Sequence, residues 1–219
     1  MKIFIAGATG ATGGVLVPEA TKRGHELVLH VRPQSKDKSP LGKDPRAKIF
    51  DLDDHAALTD AMKGCDVVIS LVGTMRNRFK AGDTYESSDL GSTRSLTKAA
   101  KEAGVPRFLL LSSVGAGGTG AYLKMKGECE RIVQDSGLRW TIFRPSVLVS
   151  PKDAEKSHHG TRDEQPAMDI ALRVVGAIPG LGGFSKDYRP IGIEVLVKHM
   201  LDTVETPRDG SIVMGREMV

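Results

Sequence analysis

Apolar and polar positions follow two alternating rhythms along the first two-thirds of the chain. "KIFIA" is a continuous apolar run of strand length. "GGVLVPEATKRG" then spaces its apolar positions for one face of a helix, with Gly24 as the stop. "HELVLHVR" and "AKIFDL" read as a second and third strand. "HAALTDAMKG" is a short amphipathic helix ended by Gly64, and "DVVISLVG" a fourth, wholly apolar strand. "SSDLGSTRSLTKAAKEAG" reads as a helix ended by Gly104, followed by the strand "RFLLLSS", the helix "YLKMKGECERIVQDSG" and the strand "RWTIF". Short apolar strands alternating with amphipathic helices predict βαβ units and a parallel sheet covered on both faces. Only the second strand is polar enough for a one-sided sheet. The predicted class is α/β, a doubly wound parallel sheet in one domain spanning residues 1–219.

The rhythm breaks after Pro145. "PKDAEKSHHGTRDE" is polar and reads as loop. A helix around "PAMDIALRVVGAI", a glycine-rich "PGLGGFSKDY", a last helix "IEVLVKHMLDTV" and a short strand "SIVMG" follow. Residues 150–190 are expected to form a small C-terminal lobe over the strand ends, lining a substrate pocket.

A chain of 219 residues has room for one sizeable core and is short for two. Hydrophobic residues make up 40% and charged residues 26%, an ordinary globular balance. No apolar run approaches the roughly 20 residues of a membrane span. "MKIFIAG" enters a strand directly, without the apolar stretch and cleavage site of a signal peptide, so a cytoplasmic setting is expected. Cys65 and Cys129 are then packed thiols, not a disulfide. The net charge is +4, with no basic block interleaved with aromatics. Nucleic-acid binding is therefore not indicated, while an anionic phosphate ligand suits the mild positive excess.

"FIAGATGATGG" follows the first strand and leads into the first helix. Ligands of open α/β sheets bind at the carboxyl ends of the strands, where a helix N-terminus offers free N–H groups and partial positive charge to a pyrophosphate. Gly7 is expected to make the tight turn, Gly10 to admit the phosphates, and Gly13 to let the helix pack on the sheet. Thr9 and Thr12 add hydroxyl donors. The GxxGxxG spacing is one residue longer in its first interval than the usual dinucleotide fingerprint. A carboxylate at the end of the second strand would favour NAD. Here "LHVRPQSK" places Arg32 there, with Ser35 and Lys36 behind it. A guanidinium grips a phosphate in bidentate fashion, so NADP(H) is the expected cofactor. Asp51 and Leu52, after the third strand, should lie beside the adenine.

Tyr122 and Lys126 are spaced i, i+4 near a helix start and so share one face. An ammonium close to a phenol favours the phenolate, and a phenol so placed can pass a proton to a carbonyl oxygen as hydride reaches its carbon. Ser112 and Ser113 end the preceding strand and point to opposite faces if it stays regular, so only one can readily reach the site.

"AGATGATGG", "VRPQSK", "FDLDD", "AAKEAGVPRFLLLSSVGA", "YLKMKGECE" and "SGLRWTIFRPSVL" together resemble the atypical branch of the short-chain dehydrogenases/reductases. That branch holds NmrA-like, Tat-interacting-protein-like and biliverdin/flavin reductase proteins. "ISLVG" and "SSDLGSTRSLTKAA" are also similar to the group around the NADPH-binding accessory subunit of respiratory complex I. The resemblance covers Met1 to about Val149 and implies a Rossmann-type fold. It assigns Gly7, Thr9, Gly10, Ala11, Thr12 and Gly13 to the pyrophosphate loop. Arg32, with Ser35 and Lys36, takes the 2′-phosphate, and Asp51 and Leu52 the adenine. Leu71, Val72 and Gly73 line the cofactor near its ribose. Tyr122 becomes the acid/base, and Lys126 both tunes it and holds the nicotinamide ribose. Ser113 is preferred as the third catalytic member, Ser112 lying beside the cofactor. Pro145, Ser146 and Val147 pass the nicotinamide. Many members of the branch carry asparagine in the helix before the serine strand; this chain has Ser95.

His158 and His159 have no third ligand at a helical or hairpin spacing, so no metal is expected. Arg76, Arg78 and Lys80 read as a solvated loop at the edge where substrates arrive. Trp140 and Phe143 read as core. The expectation is an NADPH-dependent oxidoreductase passing hydride to a small carbonyl or quinone-like substrate, as a monomer or homodimer. The rival is a non-catalytic NADP(H) sensor or accessory protein of the same fold. A sugar-nucleotide epimerase or dehydratase is disfavoured by the short C-terminal region.

Overall fold

The structure is a computed structural model, and it describes residues 1–73, 89–150 and 188–218. Its centre is a sheet of strands β1 (Lys2–Ala6), β2 (Glu26–Val31), β3 (Ala47–Ile49), β4 (Val67–Ser70), β5 (Arg107–Leu111), β6 (Arg139–Arg144) and β9 (Ser211–Met214). Their order is β3-β2-β1-β4-β5-β6-β9, and every pairing is parallel. The order reverses between β1 and β4, where Ile3 sits opposite Val67 and Ala6 opposite Ser70. This is the Rossmann-type sheet expected from the sequence, and its reversal is where such sheets open a ligand crevice.

The apolar runs are continuous because both faces are covered. Ile3 and Ile5 of β1 pack on one side, with α1 (Ala11–Lys22) and α5 (Ile193–Glu205). Phe4 and Ala6 pack on the other, with α2 (His55–Met62), α3 (Gly91–Glu102) and α4 (Ala121–Gln134). Gly24 and Gly104 end α1 and α3 at positive φ, 79° and 74°. The N–H groups of Gly24 and His25, and likewise of Gly104 and Val105, turn back onto the last helical carbonyls. Arg107, buried at the start of β5, donates to the Thr203 and Val204 carbonyls at 2.6 and 2.9 Å, pinning the end of α5. Cys65 and Cys129 are free and buried, and burial raises the Cys65 thiol to about 11.

Three features depart from the sequence pattern. β3 stops at Ile49 instead of running to Leu52, because its partner β2 ends opposite, at Val31. Phe50–Leu52 leave the sheet, and Asp51 and Leu52 become part of a wall of the site. α3 begins at Gly91, after a π-turn at Asp89–Leu90. The third is a two-stranded parallel ribbon absent from the expected elements, β7 (Leu148–Val149) with β8 (Ile191–Gly192). It joins the two ends of the expected lobe. Residues 74–88 and 151–187, which hold Arg76, Arg78, Lys80, His158, His159 and the "PAMDIALRVVGAI" helix, lie outside the described residues.

Candidate active site

A cavity of about 540 Å³ opens at the carboxyl ends of β1, β2 and β4. Its walls are the loop after β1 (Gly7, Thr9, Gly10), the end of β2 (His30, Arg32), the turn holding Gln34 and Ser35, and Asp51–Asp53. Leu71–Gly73 after β4 and Gly91, Ser92 and Ser95 of α3 complete it.

The three loop glycines have distinct geometric reasons. Gly7 has φ +87°, and a Cβ there would lie 2.9 Å from the Leu71 carbonyl carbon. At Gly13 a Cβ would fall 2.3 Å from the Ala8 oxygen and 2.6 Å from the Gly7 oxygen. Gly13 therefore lets helix α1 lie directly against the loop that precedes it. A Cβ on Gly10 would meet only the Gly7 oxygen, at 3.3 Å, and would otherwise stand in open space at the cavity wall. Gly10 is the N-cap of α1, has no side chain to cap the first turn, and no acidic residue follows it there. The orphan N–H groups of Ala11, Thr12 and Gly13 suit an anion. A cradle that side chains would fill, at the end of an uncapped helix, fits a bound pyrophosphate.

At the far end, Arg32 and Ser35 line the cavity, and Lys36 follows in the turn. Gln34 Nε2 donates to Asp51 Oδ1 at 3.3 Å, tying the β2 turn to the expected adenine wall. Nothing in the sequence pattern singles out His30. It is buried, packs between Phe4 and Phe50, and lies 2.8 Å through Nε2 from the Phe50 carbonyl. That carbonyl can only accept, so Nε2 carries the proton. Burial holds the imidazole below its ordinary pKa, against the opposing pull of the Phe50 carbonyl and the Asp51 charge.

Tyr122 and Lys126 stand together on α4, with the ammonium 5.9 Å from the phenol ring centre. Lys126 is buried, and its Nζ lies 3.2 Å from Asp89 Oδ1, a partner nothing local in the sequence announces. Gly73, in the cavity wall, covers this pair: a Cβ there would come within 3.6 Å of Nζ. The serines separate as alternation requires. Ser112 Oγ donates to buried Glu130 of α4 at 2.5 Å, and Glu130 also receives Nε and Nη2 of Arg144 at 2.9 and 2.5 Å. Ser113 is half-buried, its hydroxyl 3.3 Å from the Val114 carbonyl. Pro145 is buried and its carbonyl accepts from Val114 N–H, extending the β5–β6 contact past the strand ends. The Ser146 hydroxyl bonds the Arg189 carbonyl, and Val147 is exposed. Of the expected cofactor residues, Ala11, Thr12, Gly13, Lys36, Ser112, Lys126 and Pro145–Val147 are not among the cavity's wall residues.

Residues 7–177 match the family model described as NAD(P)H-binding. The chain belongs to this NAD(P)H-binding family. The chain is 26% identical to Protein HTATIP2 of Rattus norvegicus over 215 residues, 96% of this chain and 84% of that protein. It is 30% identical to the mitochondrial Protein FMP52 of Debaryomyces hansenii over 159 residues, 69% of each. A short-chain dehydrogenase/reductase superfamily protein from Agrobacterium tumefaciens, solved with bound NAD, superposes with a TM-score of 0.69 at 17% identity. That superposition covers 97% of this chain and 76% of that one, and it speaks for the fold. The family's ligand class agrees with the glycine cradle and uncapped helix found here. Among the described residues, no helix is long and apolar enough to cross a membrane.

Proposed function

We propose that this chain is an NADPH-dependent reductase of a small carbonyl or quinone-like compound. The observation that carries the reading is the Tyr122–Lys126 pair, with its ammonium buried directly behind Gly73 of the cavity wall. NADPH, when bound, supplies the hydride. The uncapped amides at the start of α1 would hold its pyrophosphate, Arg32 and Ser35 its 2′-phosphate, and Lys126 the ribose near the reacting end. Tyr122 gives its phenolic proton to the substrate oxygen, and the neighbouring ammonium stabilises the phenolate left behind. Ser113 positions that oxygen. Ser112 is committed to Glu130 and acts on the scaffold. Leu71 and Val72 present an apolar flank that keeps water from the transfer.

A screen of carbonyls and quinones for NADPH oxidation, run beside Tyr122→Phe, tests this. The variant keeps the ring and loses only the transferable proton. Turnover should fall by about 10²–10⁴ with cofactor affinity nearly unchanged. A wild-type chain that binds NADPH tightly yet oxidises it with no compound in the screen would be an NADP(H) sensor instead.

A further inference from the structure

Asp89 has no part in the hydride-transfer reading, yet among the described residues it occupies one of the most enclosed polar positions. Its carboxylate is 1% exposed, and Lys126, 3.2 Å away, is 6% exposed. The two come from different elements, the π-turn before α3 and the middle of α4. The turn is itself held, since the Thr93 hydroxyl donates to the Asp89 carbonyl at 2.7 Å. Above the pair lies the backbone of Gly73, where a Cβ would sit 3.6 Å from Lys126 Nζ and 4.0 Å from Asp89 Oδ1. Gly73 and Ser92 both line the cavity, so the ion pair lies immediately behind its wall.

A lysine ammonium is a point charge on a flexible four-carbon stem, and burying it without a counter-charge is strongly unfavourable. Helix α4 alone offers Lys126 only direction. A second, rigid element must fix where along its reach the ammonium stops. We propose that Asp89 is a positioning residue, holding the Lys126 ammonium behind Gly73 so that it is ordered before the cofactor arrives. The proposal rests on the reading of Lys126 as the ribose-holding cation. A Cβ at Gly73 would stand in ordinary contact with both charged groups, so the pair packs directly against this stretch of the cavity wall.

The test is a double-mutant cycle on the full chain, read as NADPH affinity by calorimetry. Ordering a freed, rotamer-rich side chain on binding costs about 0.5–1.5 kcal/mol. Asp89→Asn should therefore weaken NADPH binding by roughly two- to twelvefold. In a Lys126→Met background the same change should have almost no effect, because nothing remains to position. Asp89→Glu, which keeps the charge, should recover part of the loss. Equal weakening in both backgrounds, or no weakening in either, overturns the proposal, since a general disturbance of the turn would act whether or not Lys126 is present. Should Asp89→Asn fail to fold, the Asp89→Asn/Lys126→Met double variant, free of both charges, should fold again. A double variant that stays unfolded also overturns the proposal. None of these readouts uses turnover. A chain inert to every carbonyl would refute the reductase and leave this coupling to stand or fall separately.

Discussion

Ser112 Oγ lies 2.5 Å from Glu130 Oε1, the same oxygen that receives Arg144 Nε. One carboxylate from α4 thus gathers a hydroxyl from the end of β5 and a guanidinium from the end of β6. Tyr122 and Lys126 ride on that helix, so this buried knot sets their height above the strand ends. It also divides the serine pair: with Ser112 turned to the scaffold, the substrate-facing role in the proposed reaction goes to Ser113.

Glu130 is 3% exposed as a side chain, and Arg144 is 22% exposed. Removing one partner of a buried pair typically costs about 3–5 kcal/mol, and the partial exposure of Arg144 argues for the lower end. Glu130→Gln should therefore lower unfolding free energy by about 3 kcal/mol in urea titration. Ser112→Ala removes one neutral donor to a charged acceptor and should cost about half as much. A Glu130→Gln protein of wild-type stability would mean that α4 is held by its apolar face alone.

Gly10 and Gly13 should fail in different ways. A Cβ at Gly13 collides with two backbone oxygens that cannot yield without moving the loop, so Gly13→Ala should lose about 1–3 kcal/mol of stability. At Gly10 the only protein neighbour is 3.3 Å away and the rest is cavity. Gly10→Val should lose less stability than Gly13→Ala, since it meets a single tight neighbour, and should lose NADPH binding. Thermal denaturation and calorimetry on both variants check this. A Gly10→Val chain that binds NADPH normally would place the pyrophosphate elsewhere.

The elements of this fold were legible where burial makes the signal local. Ile3 and Ile5 face one helix layer and Phe4 the other, so β1 reads as an unbroken apolar run. The site was legible where it is made of backbone, in the glycines after β1. It was not legible where it is made of pairings. Asp89 and Lys126 are 37 residues apart, and Glu130 reads as one more polar position on an amphipathic helix until Ser112 and Arg144 are seen around it. His30 made β2 look half-exposed, when its ring is buried against Phe4 and Phe50. β7 and β8, at two residues each, are too short for any periodicity to mark.

Arg32 and Ser35 both line the cavity, and the proposed function gives them the 2′-phosphate of NADPH. A charge-assisted contact of this kind contributes roughly 1.5–3 kcal/mol, or about one to two decades in affinity. Wild-type protein should bind NADPH more tightly than NADH by that factor, and Arg32→Ala should lose most of the preference while binding NADH as before. Calorimetric titration with both cofactors measures it. Equal affinities in the wild type would remove Arg32 from cofactor choice, and tighter binding of NADH would give the choice to Asp51 and Asp53, whose carboxylates line the same cavity and suit a ribose hydroxyl.

His30 links the cavity wall to pH. Its ring is buried, its Nε2–H faces the Phe50 carbonyl, and desolvation lowers its pKa from the ordinary 6.5 despite the nearby Asp51 charge. The unfolded chain therefore takes up this proton at a higher pH than the folded one. Above about pH 7 neither state holds it and the group is neutral to stability. As pH falls below 6.5 the unfolded state binds the proton first, and stability drops until the depressed folded pKa is reached, where the loss levels off. Glutamine at this position cannot titrate and can still donate to the Phe50 carbonyl. Melting temperatures of wild type and His30→Gln should run parallel above about pH 7. They should diverge on acidification, with the wild type falling faster. The other titrating groups are common to both proteins and drop out of the difference. Curves that stay parallel down to pH 5, about 1.5 units below the ordinary histidine value, would mean that the ring accepts its proton in place. In that case the wall between β2 and Phe50 opens to water more readily than its packing implies.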